Sequence, residues 1–109
     1  MLMYDVFVLM FDALDSMYDE EPNEILGNYL SGLNPFLFDD EGSADPAEYE
    51  EFKVAFLKQF QEIEATPEAT YDFCKNYLTL NAPKEVNVAF DKIDKDDWIY
   101  SAENDKEVW

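Results

Sequence analysis

Carboxylates are the one abundant source of chemistry in this sequence, and their placement is uneven. Of 26 acidic residues against seven lysines, fourteen lie in residues 1–52, which hold no basic residue at all. Residues 53–109 carry the other twelve acids and every lysine, so the halves have formal charges of −14 and −5 within a total of −19. Such groups can hold calcium, work as acid–base pairs or meet a cationic partner. His is absent, which removes the commonest general base and metal ligand. Arg is absent too, so bidentate recognition of phosphate has no donor.

Calcium fails on spacing. A helix–loop–helix calcium site needs Asp at its first position, Gly at its sixth and Glu at its twelfth. Counting back from Gly42 puts Leu37 first, and Asp91, Asp94, Asp96 and Asp97 have no Gly among them. Catalysis is equally poorly supplied, since neither a Ser/His nor a Cys/His pair can be assembled. Cys74 falls at an inward helical position and reads as a small core residue; as the single cysteine it forms no internal disulfide, which fits a reducing compartment. Asp15-Ser16-Met17 is similar to the Asp-Ser-Leu attachment site of acyl carrier proteins. There the serine opens a second helix, whereas here it sits inside the first. No catalytic residue, metal or cofactor is therefore expected.

The elements that must position the acids are helical. Leu2 to about Tyr18 lacks Gly and Pro and reads as one helix. Pro22 suits the first turn of a second, with Ile25, Leu26, Tyr29, Leu30 and Leu33 on one face, closed by Gly32 and Asn34-Pro35. Residues 35–44 read as a loop anchored by Phe36, Leu37 and Phe38. Asp45-Pro46-Ala47-Glu48 is close to a capping box and opens a helix burying Tyr49, Phe52, Phe56, Phe60 and Ile63. Thr66-Pro67-Glu68 opens the next, with Phe73, Cys74, Tyr77 and Leu78 inward. Asn81-Ala82-Pro83 leads into a short helix through Val86, Ala89, Phe90 and Ile93. Asp94 to Asp97 reads as a polar turn before Trp98, Ile99 and Tyr100, with a short final helix within 101–109. With 48% hydrophobic and 17% aromatic residues, the expectation is one all-α domain over residues 1–109, a compact bundle of about five short helices.

On the first helix, Asp5, Asp12 and Asp19 fall within about 40° of each other, and Asp15 adds the next row, giving an acidic stripe of roughly 21 Å. Val8 lies inside this stripe and Tyr18 at its edge. Glu20 and Glu24, the loop acids Asp39, Asp40 and Glu41, and Asp45 extend the set, with Tyr18 and Phe38 as aromatic anchors. Polyanions, namely nucleic acid and anionic membranes, are excluded as partners; a basic protein fits. The apolar start from Met1 to Met10 is interrupted by Asp5 and followed by no cleavage signal, so it reads as a core helix and the protein as cytoplasmic.

In size, charge, helical content and lack of catalytic groups, the chain resembles the small acidic immunity proteins of bacterial toxin systems. That resemblance is of overall character and carries no motif. It implies a stoichiometric inhibitor, monomeric in isolation, that covers the cationic site of a toxin such as a nuclease. A nucleic-acid mimic would need an elongated array of carboxylates, and an adaptor subunit would need a large exposed apolar patch.

Overall fold

Local signals set most of the helix boundaries. The computed structural model describes residues 1–36 and 41–104, and these form six helices: α1 (Met3–Glu20), α2 (Glu24–Leu33), α3 (Pro46–Phe60), α4 (Pro67–Asn81), α5 (Lys84–Asp91) and α6 (Lys95–Asn104). Asp45 caps α3 by accepting from the Ala47 N–H at 3.1 Å, with Pro46 in the first turn, where no N–H is required. The reciprocal half of a capping box is missing, because the Asp45 N–H donates to the Gly32 carbonyl at 2.9 Å. That bond ties the start of α3 to the end of α2. Thr66 Oγ1 likewise accepts from the Ala69 N–H at 3.3 Å to start α4.

Four boundaries depart from the sequence expectation. Asn23 caps α2, accepting from Ile25 and Leu26 at 2.9 and 3.1 Å, so Pro22 stands outside the helix and not in its first turn. Gly32 stays helical, and α2 ends one residue later. Gln61 adopts the left-handed conformation (φ 57°) and ends α3 before Ile63, which is 59% exposed instead of buried. The segment expected as a polar turn at 94–97 is the cap and first turn of α6: the Asp94 carboxylate accepts from the Asp96 N–H at 3.1 Å, and Asp96 and Asp97 lie where the helix dipole favours negative charge. A sixth helix follows from this, and it contains Trp98.

Packing converges on α1. Its residues Val6 to Phe11 are buried without a break, with Leu14 one turn further, and α1 touches α2, α3, α5 and α6. Unbroken burial over more than a turn means that α1 runs through the interior, where an amphipathic surface helix would show one wet face. Around it, the ring of Phe7 packs edge-on against Tyr49 and Phe52 at 5.0 and 5.1 Å, and Phe52 meets Phe73 and Tyr77 at 5.4 and 5.3 Å. Such pairs add to the gain from burying each ring. A second layer joins α4, α5 and α6 through Tyr71, Phe90 and Trp98. Here the Trp98 Nε1–H donates to Thr70 Oγ1 at 3.1 Å and the Tyr71 hydroxyl to the Ile93 carbonyl at 2.6 Å, so both buried polar tips are satisfied. Cys74 is fully buried, and that burial pushes its thiol well above the usual range.

Candidate functional site

Burial of α1 splits the acidic stripe expected along it. Val8, predicted within that stripe, is only 2% exposed and separates Asp5 from Asp12. Asp5 belongs instead to a group around Tyr49 that includes Glu41 and Glu50; burial, then these carboxylates and Tyr4, push the Tyr49 hydroxyl up to about 12. Lys53 enters this group, with its amine 5.4 Å from the centre of the Tyr49 ring and 3.2 Å from Glu50. At that end of α1, then, a cation is interleaved among the acids. Phe38, Asp39 and Asp40 lie outside the described residues.

The carboxylates of the C-terminal half of α1 are arranged differently. Asp12 is half-buried, and burial, followed by the charge of Asp15, raises its pKa to about 6. Asp15 is raised in turn by burial and then by Asp19, which is exposed. These spacings of three and four residues stack like charges on one helix flank, which adds to burial in disfavouring ionisation of Asp12 and Asp15. Among the described residues, none of Asp5, Asp12, Asp15, Asp19, Glu20, Glu24, Glu41 or Asp45 comes within 4.0 Å of a lysine amine. Self-repulsion is therefore left uncompensated at close range.

Three grooves border this part of α1, and they distribute the remaining predicted residues. Asp12 and Ser16 line a groove of about 400 Å³ toward α6, facing Lys92, Asp94, Asp97 and Trp98. Glu20 lines one of about 470 Å³ toward α5, with Glu21, Lys84, Val88 and Lys92. Lys92 bonds the Glu21 carboxylate there, and that hydrogen bond with its charge holds the carboxyl below its ordinary range. Asp15, Tyr18 and Glu24 come together in the third groove, about 410 Å³ between α1 and α2, which no lysine lines. Its floor is Phe11 and Leu30. Gly27 lets the Tyr18 ring approach closely, since a Cβ added there would stand 2.9 Å from Tyr18 Cε2.

On the opposite flank of α2 the structure adds to the acidic set Glu48, read from the sequence only as part of a helix cap, and Glu51. Glu48 is raised by burial and then by Glu51 and Asp45, so these three carboxylates gather at the start of α3. A Cβ built on Gly32 would lie 3.7 Å from Asp45 and 3.8 Å from Glu48, which places them against the end of α2. The signal was present in the Pro-led helix start, because Asp45, Glu48 and Glu51 recur at steps of three. Helix α2, which begins at Glu24, thus has Asp15 of α1 along one side and Asp45, Glu48 and Glu51 along the other. Its own outward residues, Ile25, Asn28 and Ser31, are exposed, and the helix contains no lysine.

Between α3 and α4 lies a surface of another kind. Val54 is 66% exposed and Leu80 83% exposed along grooves lined by Ala55, Lys58, Phe60 and Tyr77. No group of three or more His, Cys, Asp or Glu side chains able to hold a metal occurs among the described residues, and none of the described helices is long and apolar enough to cross a membrane. No protein-family model, no characterised protein and no solved structure matches the chain.

Proposed function

We propose that this protein is a non-catalytic, acidic binding protein that neutralises a basic protein partner, acting as an immunity protein that covers the cationic site of a toxin. The observation that carries this reading is the lysine-free groove between α1 and α2, which brings Asp15, Tyr18 and Glu24 together. Burial, and then a neighbouring carboxylate, raises the pKa of Asp15 there and of Asp12 beside it, a cost to folding that a cationic partner would offset. Opposed charges steer encounter over long range, and aromatic groups such as Tyr18 set the lifetime. The protein works as a cytoplasmic monomer, since copies carrying −19 repel each other.

The test is capture of partners at low and high salt by the native chain and by a variant with Asp15, Asp19 and Glu24 changed together to Lys. The reading expects basic proteins captured at low salt, released as ionic strength rises, and lost in the variant. Unchanged capture by a variant that retains its helical signal would defeat it.

The exposed Val54 and Leu80 favour one second reading, an adaptor subunit that seats an apolar element between α3 and α4. In that case substitution of Leu80 by Asp would abolish capture, and reversal of the α1 and α2 charges would not. A nucleic-acid mimic fits less well, because extents of 34 × 30 × 28 Å describe a globule with no elongated axis along which to array charge.

A further inference from the structure

The lysine-free groove between α1 and α2 has features that a generic cation does not need. Its two acids, Asp15 and Glu24, stand on different helices, and the Tyr18 ring lies between them in sequence and lines the same wall. Phe11 and Leu30 make the floor, and Phe36, 56% exposed, packs edge-on against Phe11 at 5.7 Å. An ammonium group would be satisfied by the carboxylates alone. The apolar floor suits a long methylene stem, and the ring suits a planar, weakly hydrated cation that stacks while its N–H donors reach acids on both sides. Arginine meets all three demands and lysine only two.

Resting on the partner class proposed above, we infer that the α1–α2 groove is an arginine-selective docking site: the Tyr18 ring stacks a guanidinium of the cationic partner, and Asp15 and Glu24 flank it. Charge complementarity supports this occupant. The acids of the groove have no lysine within ion-pair distance among the described residues, and Asp45, Glu48 and Glu51 extend the negative field along the other flank of α2. Gly27 contributes by clearance, because any side chain there would displace the ring.

Titration of the full chain with hexa-arginine and hexa-lysine, followed by amide NMR shifts, tests the assignment. Hexa-arginine should bind about tenfold tighter, with the largest shifts at Gly27 and Asn28. Tyr18→Phe, which keeps a ring, should retain the preference; Tyr18→Leu should lose it while binding hexa-lysine as before. Equal affinity for the two peptides, or a preference that survives Tyr18→Leu, would overturn the arginine site and leave the basic-partner reading standing. Failure of both peptides to bind would overturn both. Shifts confined to the Lys53 or Lys92 surroundings would also overturn the site.

Discussion

The two ends of this molecule handle negative charge in opposite ways. Across α4, α5 and α6, two acids meet lysines from neighbouring helices: Lys95 bonds Asp72 at 3.1 Å, and Lys75 lies 3.7 Å from Asp91. Across α1 and α2, Asp12, Asp15, Asp19 and Glu24 have no such partner among the described residues. Both ends share one aromatic core, so the difference does not arise from packing. Among the described residues, acids without a lysine within 4.0 Å occur at both ends, Glu68, Glu85 and Glu103 among them. What differs is that the α4–α6 end offsets part of its charge with lysines, while the groove between α1 and α2 has none to offset it and leaves its carboxylates available to a partner. Natural chains commonly accept local instability at sites of function.

The largest effect that would sharpen this comparison is expected at Asp12. Its pKa is raised to about 6 from an ordinary 3.8, so between those values the folded state holds a proton that the unfolded chain has released. Stability is therefore greatest below pH 4 as far as this group is concerned, and it falls as pH rises to 6. Because the carboxylate is only half-buried, solvent screening reduces the loss to about 1 kcal/mol. Asp12→Asn should recover that amount at pH 7 and flatten the profile between pH 4 and 6, as read by urea denaturation at each pH. A variant less stable than the native chain at pH 7 would mean that Asp12 is engaged by a favourable contact, and the contrast between the two ends would weaken.

A smaller effect is expected on the other flank of α2. The Tyr29 hydroxyl is buried with no hydrogen-bond partner, and burial, with Tyr77, Glu48 and Glu51 nearby, pushes its pKa far up. An unsatisfied hydroxyl normally costs more than it returns. Tyr29→Phe should leave stability unchanged or raise it by up to about 1 kcal/mol in thermal denaturation. The buried hydroxyls of the α4–α6 layer make the control: Tyr71→Phe removes the bond to the Ile93 carbonyl and should destabilise by about 1 kcal/mol. Equal losses at the two tyrosines would show that Tyr29 has a partner in solution.

Much of this arrangement was legible in the sequence, for physical reasons that can be named. Asp45-Pro46 and Thr66-Pro67 combine a capping oxygen with a residue needing no N–H, and both helix starts fall where those signals put them. The inward positions of Cys74, Tyr77 and Leu78 followed from spacing. What periodicity could not show is how many sides of a helix are covered. The first helix reads as a half-wet stripe because Asp recurs every seven residues, yet Val8 is sealed and the stripe is cut. Contacts distant in sequence were equally hidden, among them Lys92 to Glu21, which closes one acidic turn from 71 residues away. Lysine reach, more than acid count, therefore delimits the candidate face: Asp15, Tyr18 and Glu24 share a groove without one, while Glu20 and Asp12 share theirs with Lys92.

The smallest effects test the comparison most directly, because they should differ in sign. On α1, Asp15→Asn removes a repulsion with Asp12 on one side and Asp19 on the other, and like charges at helical spacing cost a few tenths of a kcal/mol each. The variant should gain about that much. On α4, Asp72→Asn removes an exposed pair with Lys95, whose amine also lies 5.9 Å from the centre of the Tyr71 ring, and should lose about 0.2–1 kcal/mol. Urea midpoints measured in low salt resolve changes of this size when the transition slope is unchanged. Raising the salt should shrink both shifts toward zero, since exposed charges are screened over about 8 Å at physiological ionic strength. Two losses, or two gains, would mean that the ends of the molecule do not differ in how their charge bears on folding. The lysine-free groove would then be an ordinary solvated surface, and the reason for placing a cationic partner on it would be gone.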